Sequence, residues 1–507
     1  MVDMDETVEP QADHGRRGLG DRAAAGVLWT VLQKWAVRLG GLATVAVLAR
    51  LLGPEDFGVV SIALTVIPVI YLLSDLGFST YVVQASDASS RVLSTAFWYA
   101  ATAGVVLAGG LALLAPTIGA LFNLPAVIPV LTGLAPAVLL VALASIPTAL
   151  LRRRLAFRAL AIQSFAAAAL GQIVAVVVAL AGGGVWALVL QLLVNQLVVC
   201  VLAWTSARWR PTREFSRPQF VEMARFGTNV VGVELIALAR LWAETAIVVS
   251  VLGVAALGFL NIAQRLVQAT QDLSAAAILP VSTVAFSQIR SSVERLRSGY
   301  LRALEVAYVV VVPVMVFVAV GTPLIIPILF GAQWSRSVVP AQALAVAGIM
   351  TLGAMLDNAL FYGVGRPGRW LVYAIVVDAL TVGTTLFASR YGLVGVAVGF
   401  VVVALVATLI RWGLVGRLIE ASSWTVAKSF TLIAIAGVVS AAGGIGALAL
   451  CSSLPSIVAL IIEGVVVVAL HVGVVRLLVP SALNEVFGLL RSRIRRGVPP
   501  ASQTAVS

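Results

Sequence analysis

Apolar runs of about twenty residues follow one another along almost the whole chain, separated by short polar turns, and a helix of that length crosses a hydrocarbon core of about 30 Å. Fourteen such runs are read. They lie near 24–50, 57–83, 93–115, 126–150, 160–181, 185–206, 226–251, 257–285, 303–330, 338–362, 369–389, 392–416, 428–450 and 455–479. The expected fold is therefore an all-α polytopic membrane protein of about 14 transmembrane helices. Four prolines, Pro68, Pro136, Pro313 and Pro323, fall inside these runs and are expected to kink them.

The first two runs form a hairpin around the tight turn Gly53-Pro54-Glu55-Asp56, and this hairpin has an echo. Leu52, Gly53, Gly58, Ile62 and Ala63 recur 200 residues on as Leu252, Gly253, Gly258, Ile262 and Ala263. A second echo relates Gly182-Gly183-Gly184-Val185-Trp186-Ala187-Leu188 to Tyr391-Gly392-Leu393-Val394-Gly395-Val396-Ala397. The longest polar segment between runs, Ser206 to Arg225, leaves six helices before it and eight after. Because six is even, the repeat is parallel, with its axis along the membrane normal. The division expected is a cytosolic tail (1–22), an N-lobe of helices 1–6 (23–206), a cytosolic linker (207–225) and a C-lobe of helices 7–12 (226–417). Helices 13–14 (428–479), with no counterpart in the first half, then act as packing support or a lipid groove, ahead of a cytosolic basic tail (480–507).

Composition agrees with the pattern. Of the 507 residues 61% are hydrophobic and 11% charged, against about 25% charged in a soluble domain. The mean hydropathy is +1.05. Six acidic residues and no apolar core mark the first 22 residues as a tail and not a signal peptide. The net charge of +12 sits mostly in alternate turns, including the run Arg152 to Arg154, five arginines from Arg208 to Arg225, and Arg491, Arg493, Arg495 and Arg496. The other turns hold only Arg50, Arg336 and Arg390. By the positive-inside rule this places both termini in the cytosol. Spread this way, the arginines suit anionic headgroups and no nucleic acid is expected as a partner. Trp29, Trp204, Trp209, Trp334, Trp370, Trp412 and Trp424 fall near helix ends and read as interface anchors. Cys200 and Cys451 are expected at opposite membrane faces, too far apart to bond.

Catalytic machinery is not in evidence. Only His14 and His471 are present, no GxxxxGK[ST] loop exists to cradle a nucleotide, and the longest outer turn, near Pro116 to Pro125, is too short for a polymerase site. Glu463 and His471 share a helix face, yet one acid and one histidine make a poor metal site. Neither a cofactor nor a metal is expected.

The stretch LARLLGPEDFGVVSIAL with LLSDLGFSTYVVQ, the segment AETAIVVSVLGVAALGFLNIAQRL and YGLVGVAVG together resemble the Wzx-type polysaccharide flippases of the multidrug/oligosaccharidyl-lipid/polysaccharide exporter superfamily. The likeness runs from about Ala23 to Leu478. It implies a two-lobed, 14-helix transporter in the bacterial cytoplasmic membrane, not an enzyme, that carries undecaprenyl-diphosphate-linked oligosaccharide to the outer leaflet. A polysaccharide polymerase and a chain-length regulator are further expected partners. One departure is Glu244, where the family pattern often has Asp. A lipid II flippase and a multidrug-type cation antiporter are the alternatives.

Such a cargo has a hydrated anionic head, so its carrier needs cations at membrane depth, where each unpaired charge costs roughly 2.5 to 3.5 kcal/mol. Lys34 and Arg38 share one face of helix 1, and Arg240 lies mid-way along helix 7. In helix 8, Asn261, Gln264, Arg265, Gln268, Gln271 and Asp272 recur at spacings of three and four, a polar stripe expected to face the cleft between lobes. Gln191, Asn195 and Gln196, with Asp357 and Asn358, offer groups for sugar hydroxyls. Asp75, Glu244, Asp272 and Asp378 are candidates for ion coupling. Equally open from the residues alone are neutralising pairs, Lys34 with Asp75 and Arg240 with Glu244, and a buried hydrogen-bonded role for Asp378.

Overall fold

A computed structural model describes residues 37–85, 89–275, 286 and 292–496. These are helical nearly throughout, with no strand among the described residues. Helix α1 covers 37–51, followed by α2 (Pro54–Asp75), α3 (Phe78–Gln84), α4 (Ser90–Leu121), α5 (Val127–Arg153), α6 (Phe157–Leu180), α7 (Trp186–Ala207), α8 (Arg217–Leu252) and α9 (Val254–Ala275). Beyond them come α10 (Val293–Phe330), a 3-10 turn at Ala332–Ser337, α11 (Val338–Gly363), α12 (Pro367–Ala388), α13 (Gly392–Leu418), α14 (Ser423–Leu450), α15 (Ser456–Leu478) and α16 (Pro480–Arg496). A helix thus stands at every apolar run. Among the described residues eleven segments are long and apolar enough to cross a membrane, one of them, Pro367–Leu418, containing both α12 and α13.

The second run is broken in two. Leu76 and Gly77 both adopt left-handed backbone (φ 44° and 71°), ending α2 and starting α3. The Asp75 carboxylate spans this break, accepting from the Ser79 amide at 3.3 Å and its hydroxyl at 2.7 Å, so it serves donors that the new helix start leaves unpaired. Lys34, one reading of its partner from the sequence, lies outside the described residues. Pro68, Pro136, Pro313 and Pro323 sit inside helices that continue past them. The turn expected at Pro116 to Pro125 is shorter, because α4 runs on through Pro116 to Leu121.

Two bundles can be traced from the packing. In the first, α1 meets Gln172 of α6 at Gly40, α2 lies on α5, α4 on α5, α5 on α7 and α6 on α7; in the second, α8 lies on α12, α9 on α11, α10 on α11, and α13 on both α11 and α12. Helices α14 and α15 pack on each other and both against α10.

The sequence echo becomes a reciprocal contact between these bundles. A Cβ on Gly58 would meet the carbonyl oxygen of Val254, and one on Gly258 would meet that of Pro54, so only glycine lets α2 and α9 approach this closely. Ile62, Ala63, Ile262 and Ala263 are all fully buried just beyond. The same end carries a polar tie. The Arg50 guanidinium donates to the carbonyls of Ile328 and Leu329, Gln333 Nε2 to that of Ala49 at 2.6 Å, and Trp334 Nε1 to that of Ala49 at 2.7 Å. Phe57 and Phe259, one from each bundle, pack edge-on against the Trp334 ring. Trp334 is therefore no interface anchor: it is fully buried and locks the seam.

Gly258→Leu is expected to prise this seam open, because α2 backbone stands where the side chain would go. Spin labels at Glu55 and Ser250 should move apart by several ångströms, with a stability loss of about 1–3 kcal/mol from overpacking. An unchanged label distance would show that the seam does not depend on this glycine.

Candidate functional site

The polar stripe of α9 exists because its other face is committed to packing: Ile262, Ala263, Leu266 and Val267 are at most 5% exposed, which turns the amides and charges away from the core. The stripe has two edges. Gln264, Gln268 and Gln271 line a cavity of about 430 Å³ in the second bundle, together with Arg240, Thr351, Tyr373, Asp378 and Thr381. Its remaining walls are apolar, among them Leu344, Phe400 and Val403. Along the other edge Arg265 Nε donates to Asn261 Oδ1 at 2.7 Å, and Gln268 Nε2 donates to Asp272 Oδ1 at 2.9 Å. Asp272 in turn meets Arg38 of α1 at 2.5 Å, an ion pair that joins the two bundles.

Arg240 lines the cavity but is not free. Its Nη1 donates to both oxygens of Glu244, one turn on, at 3.0 Å, and its Nε stands 2.9 Å from Asp378 of α12. One guanidinium thus answers two carboxylates, and the cavity wall carries no surplus positive charge there. Arg38 is balanced singly by Asp272. Arg265 makes no ion pair among the described residues, and its only hydrogen-bond partner there is the neutral Asn261. Of the four residues read as ion-coupling carboxylates, Glu244, Asp272 and Asp378 are all engaged by arginines, and Asp75 by Ser79.

Asp357 does not offer itself to a sugar. It is 1% exposed, bonded to Arg411 Nη1 at 2.9 Å and to the Tyr300 hydroxyl at 2.5 Å. The Arg411 guanidinium also donates to the Met350 carbonyl at 3.0 Å and lies against Gly353, where a Cβ would collide with it. This node joins α10, α11 and α13. Arg411 is not among the site residues read from the sequence. Its signal was an arginine well inside an apolar run, with an aspartate inside another. Asn195 is turned toward α6, its Cβ side packed at Gly171.

Outside the cavity, an apolar groove of about 750 Å³ runs between α10 and α15, lined by Pro313, Val314 and Phe317 on one side and Ile457, Leu460, Ile461 and Val468 on the other. Among the described residues no cluster of three or more His, Cys, Asp or Glu is arranged to hold a metal.

The family described as polysaccharide biosynthesis protein matches residues 47–339. The chain is 26% identical over 371 residues to the succinoglycan biosynthesis transport protein ExoT of Rhizobium meliloti (strain 1021), covering 72% of this chain and 74% of that one. It is 24% identical over 413 residues to the lipopolysaccharide biosynthesis protein WzxC of Escherichia coli (strain K12), covering 80% and 83%. Among solved structures, the lipid II flippase MurJ in an inward closed conformation superposes with a TM-score of 0.70 at 12% identity, over 89% of this chain and 99% of that one. An inward-facing multidrug resistance MATE family transporter of the MOP superfamily gives 0.60 at 19% identity, over 79% and 99%. At such identities these two likenesses speak to the fold alone.

Proposed function

This chain belongs to the polysaccharide biosynthesis protein family, and from that membership we propose that it is a flippase for undecaprenyl-diphosphate-linked oligosaccharide, moving it from the inner to the outer leaflet by alternating access. It is a transporter and not an enzyme, as the relatives named for transport in polysaccharide synthesis support. The reading places it in the bacterial cytoplasmic membrane with both termini in the cytosol, as the skew of arginines favours. A polymerase on the far side is then the natural recipient of its product.

The cargo divides into three chemistries, and the fold offers a surface for each. The diphosphate meets Arg265, whose charge lacks a protein counter-ion among the described residues. Charge-assisted, forked hydrogen bonds suit guanidinium to phosphate. The sugars meet the cavity amides of Gln264, Gln268 and Gln271 and the hydroxyls of Thr351 and Thr381. The lipid tail stays in hydrocarbon, and the groove between α10 and α15 gives it an apolar track.

The Arg38–Asp272 pair supplies a means of coupling. An arriving diphosphate competes with Asp272 for Arg38, and so weakens one of the ties between bundles at the moment the cargo is seated. Rocking about the seam of Gly58 and Gly258 then exposes the cleft to the other side.

The observation that carries this reading is Arg265, without a counter-ion among the described residues, beside a cavity lined by neutral amides. A carrier of cations would instead present free carboxylates, whereas Glu244, Asp272 and Asp378 are all held by arginines. In vesicles containing the purified protein, labelled lipid-linked oligosaccharide is expected to move between leaflets well above the protein-free rate. A cationic dye should not. Faster movement of lipid II than of the oligosaccharide, or uptake of the dye alone, would overturn the assignment.

A further inference from the structure

Away from the cleft, α15 buries one stripe at every fourth residue: Ala459, Glu463, Val467, His471 and Val475. Two of these five positions are titratable. Glu463 is fully buried and His471 is 1% exposed, and among the described residues neither oxygen of Glu463 has a hydrogen-bond partner. Nothing in the transport reading uses them.

Glycines and apolar side chains stand against Glu463 on both neighbouring helices, and the nearby buried hydroxyls of Thr322 and Ser440 donate to carbonyls of their own helices. Its carboxylate lies over Gly321 of α10, beside Leu460 and Ile325, and its stem lies over Gly444 of α14. Gly321 and Gly444 leave the space in which the acid sits, since a Cβ on Gly321 would come within 2.6 Å of it. The charged and titratable groups of the neighbouring helices are remote from it or engaged. On α10 the half beyond Pro313 has none, Tyr308 precedes Gly321 by more than three turns, Glu305 accepts from Ser429 at 2.7 Å, and Arg302 pairs with Glu485 of α16 at 3.2 Å. On α14 there is only Lys428 near its start, and on α15 only His471, two turns or about 12 Å along the axis, and Arg476 at the end.

A carboxylate cannot remain ionised in such a place without a partner, so the group is neutral while the three helices are closed around it. Ionisable residues buried within membrane helices are costly and are kept for a role. We propose that Glu463 is a proton-binding site separate from the arginine-lined cleft, holding its proton while α15 is seated on Gly321 and releasing it as α15 parts from α10. Proton binding and the closure of these helices are then one equilibrium. Leu460 belongs both to the contact over Gly321 and to the wall of the apolar groove, so the same movement reshapes the groove.

The test has two readouts that do not involve cargo. Infrared difference spectra of the purified protein across a pH step are expected to show a buried carboxylic acid band that is lost in Glu463→Gln. Spin labels on α10 and α15 are expected to separate as the pH rises in the parent and to stay at the closed distance in Glu463→Gln, which keeps the shape and cannot ionise. An unchanged band in the variant, or a parent label distance independent of pH, would overturn the proposal. Glu463→Leu guards against misfolding of the amide: it should also hold the closed distance, and a pH-driven separation persisting in it would equally refute the assignment.

Discussion

Arg411→Ala is expected to cost about 3–5 kcal/mol of stability, because it leaves Asp357 as a buried charge without its counter-ion. The pair is 2% and 1% exposed, so water cannot take over the interaction. Tyr300 alone would remain on the carboxylate, and the carbonyl of Met350 would lose its donor. Arg411→Lys should rescue little, since an ammonium cannot reproduce a fork that reaches Asp357 and Met350 together. The double variant Arg411→Met with Asp357→Leu should recover a large part of the loss, as apolar replacements of buried ion pairs often do. Thermal unfolding of the purified protein in detergent checks all three. A melting temperature for Arg411→Ala equal to the parent's would contradict the role given to this node.

The contrast between Arg411 and Arg265 explains how far the chain was legible before its structure. Helix positions were readable because hydrocarbon demands about twenty apolar residues per crossing and polar punctuation between them. The α9 stripe was readable for a similar reason, since spacings of three and four define a face whatever that face meets. The echo at Gly58 and Gly258 also carried real spatial information, because a repeated glycine marks a close approach of backbone.

Partnership across helices was not readable. Arg38, Arg240, Arg265 and Arg411 look alike as arginines in apolar runs, yet Arg38 ties two bundles, Arg240 answers two carboxylates, Arg411 is sealed in a core, and Arg265 has no counter-ion among the described residues. Depth along a helix follows from counting residues; azimuth relative to a distant helix depends on packing that no local pattern encodes. Trp334 makes the same point. A tryptophan at a helix end serves equally as an anchor in headgroups or as a wedge between bundles, and the difference lies in Phe57 and Phe259, which come from elsewhere in the chain. Glu463 was visible as an intramembrane acid, but not that its face would be closed by two glycines.

Arg265 is where these differences matter for transport. If its guanidinium receives the diphosphate, removing it forfeits a charge-assisted hydrogen-bonding group of about 1.5–3 kcal/mol, or roughly 10- to 100-fold in rate at subsaturating cargo. Arg265→Lys should retain part of the activity, keeping the charge and losing the fork. Arg240→Ala should act differently: it frees Glu244 and Asp378 inside the cavity and so repels an anionic cargo, while its own charge was already spent on them. The loss at Arg265 should leave the melting temperature near the parent's, because among the described residues the side chain is tied to Asn261 alone.

The decisive measurement is the rate at which labelled lipid-linked oligosaccharide crosses vesicles containing Arg265→Ala. A fall of at least about tenfold, with folding intact and partial recovery in Arg265→Lys, is the result expected of a group that holds the diphosphate. Translocation at the parent rate would contradict it.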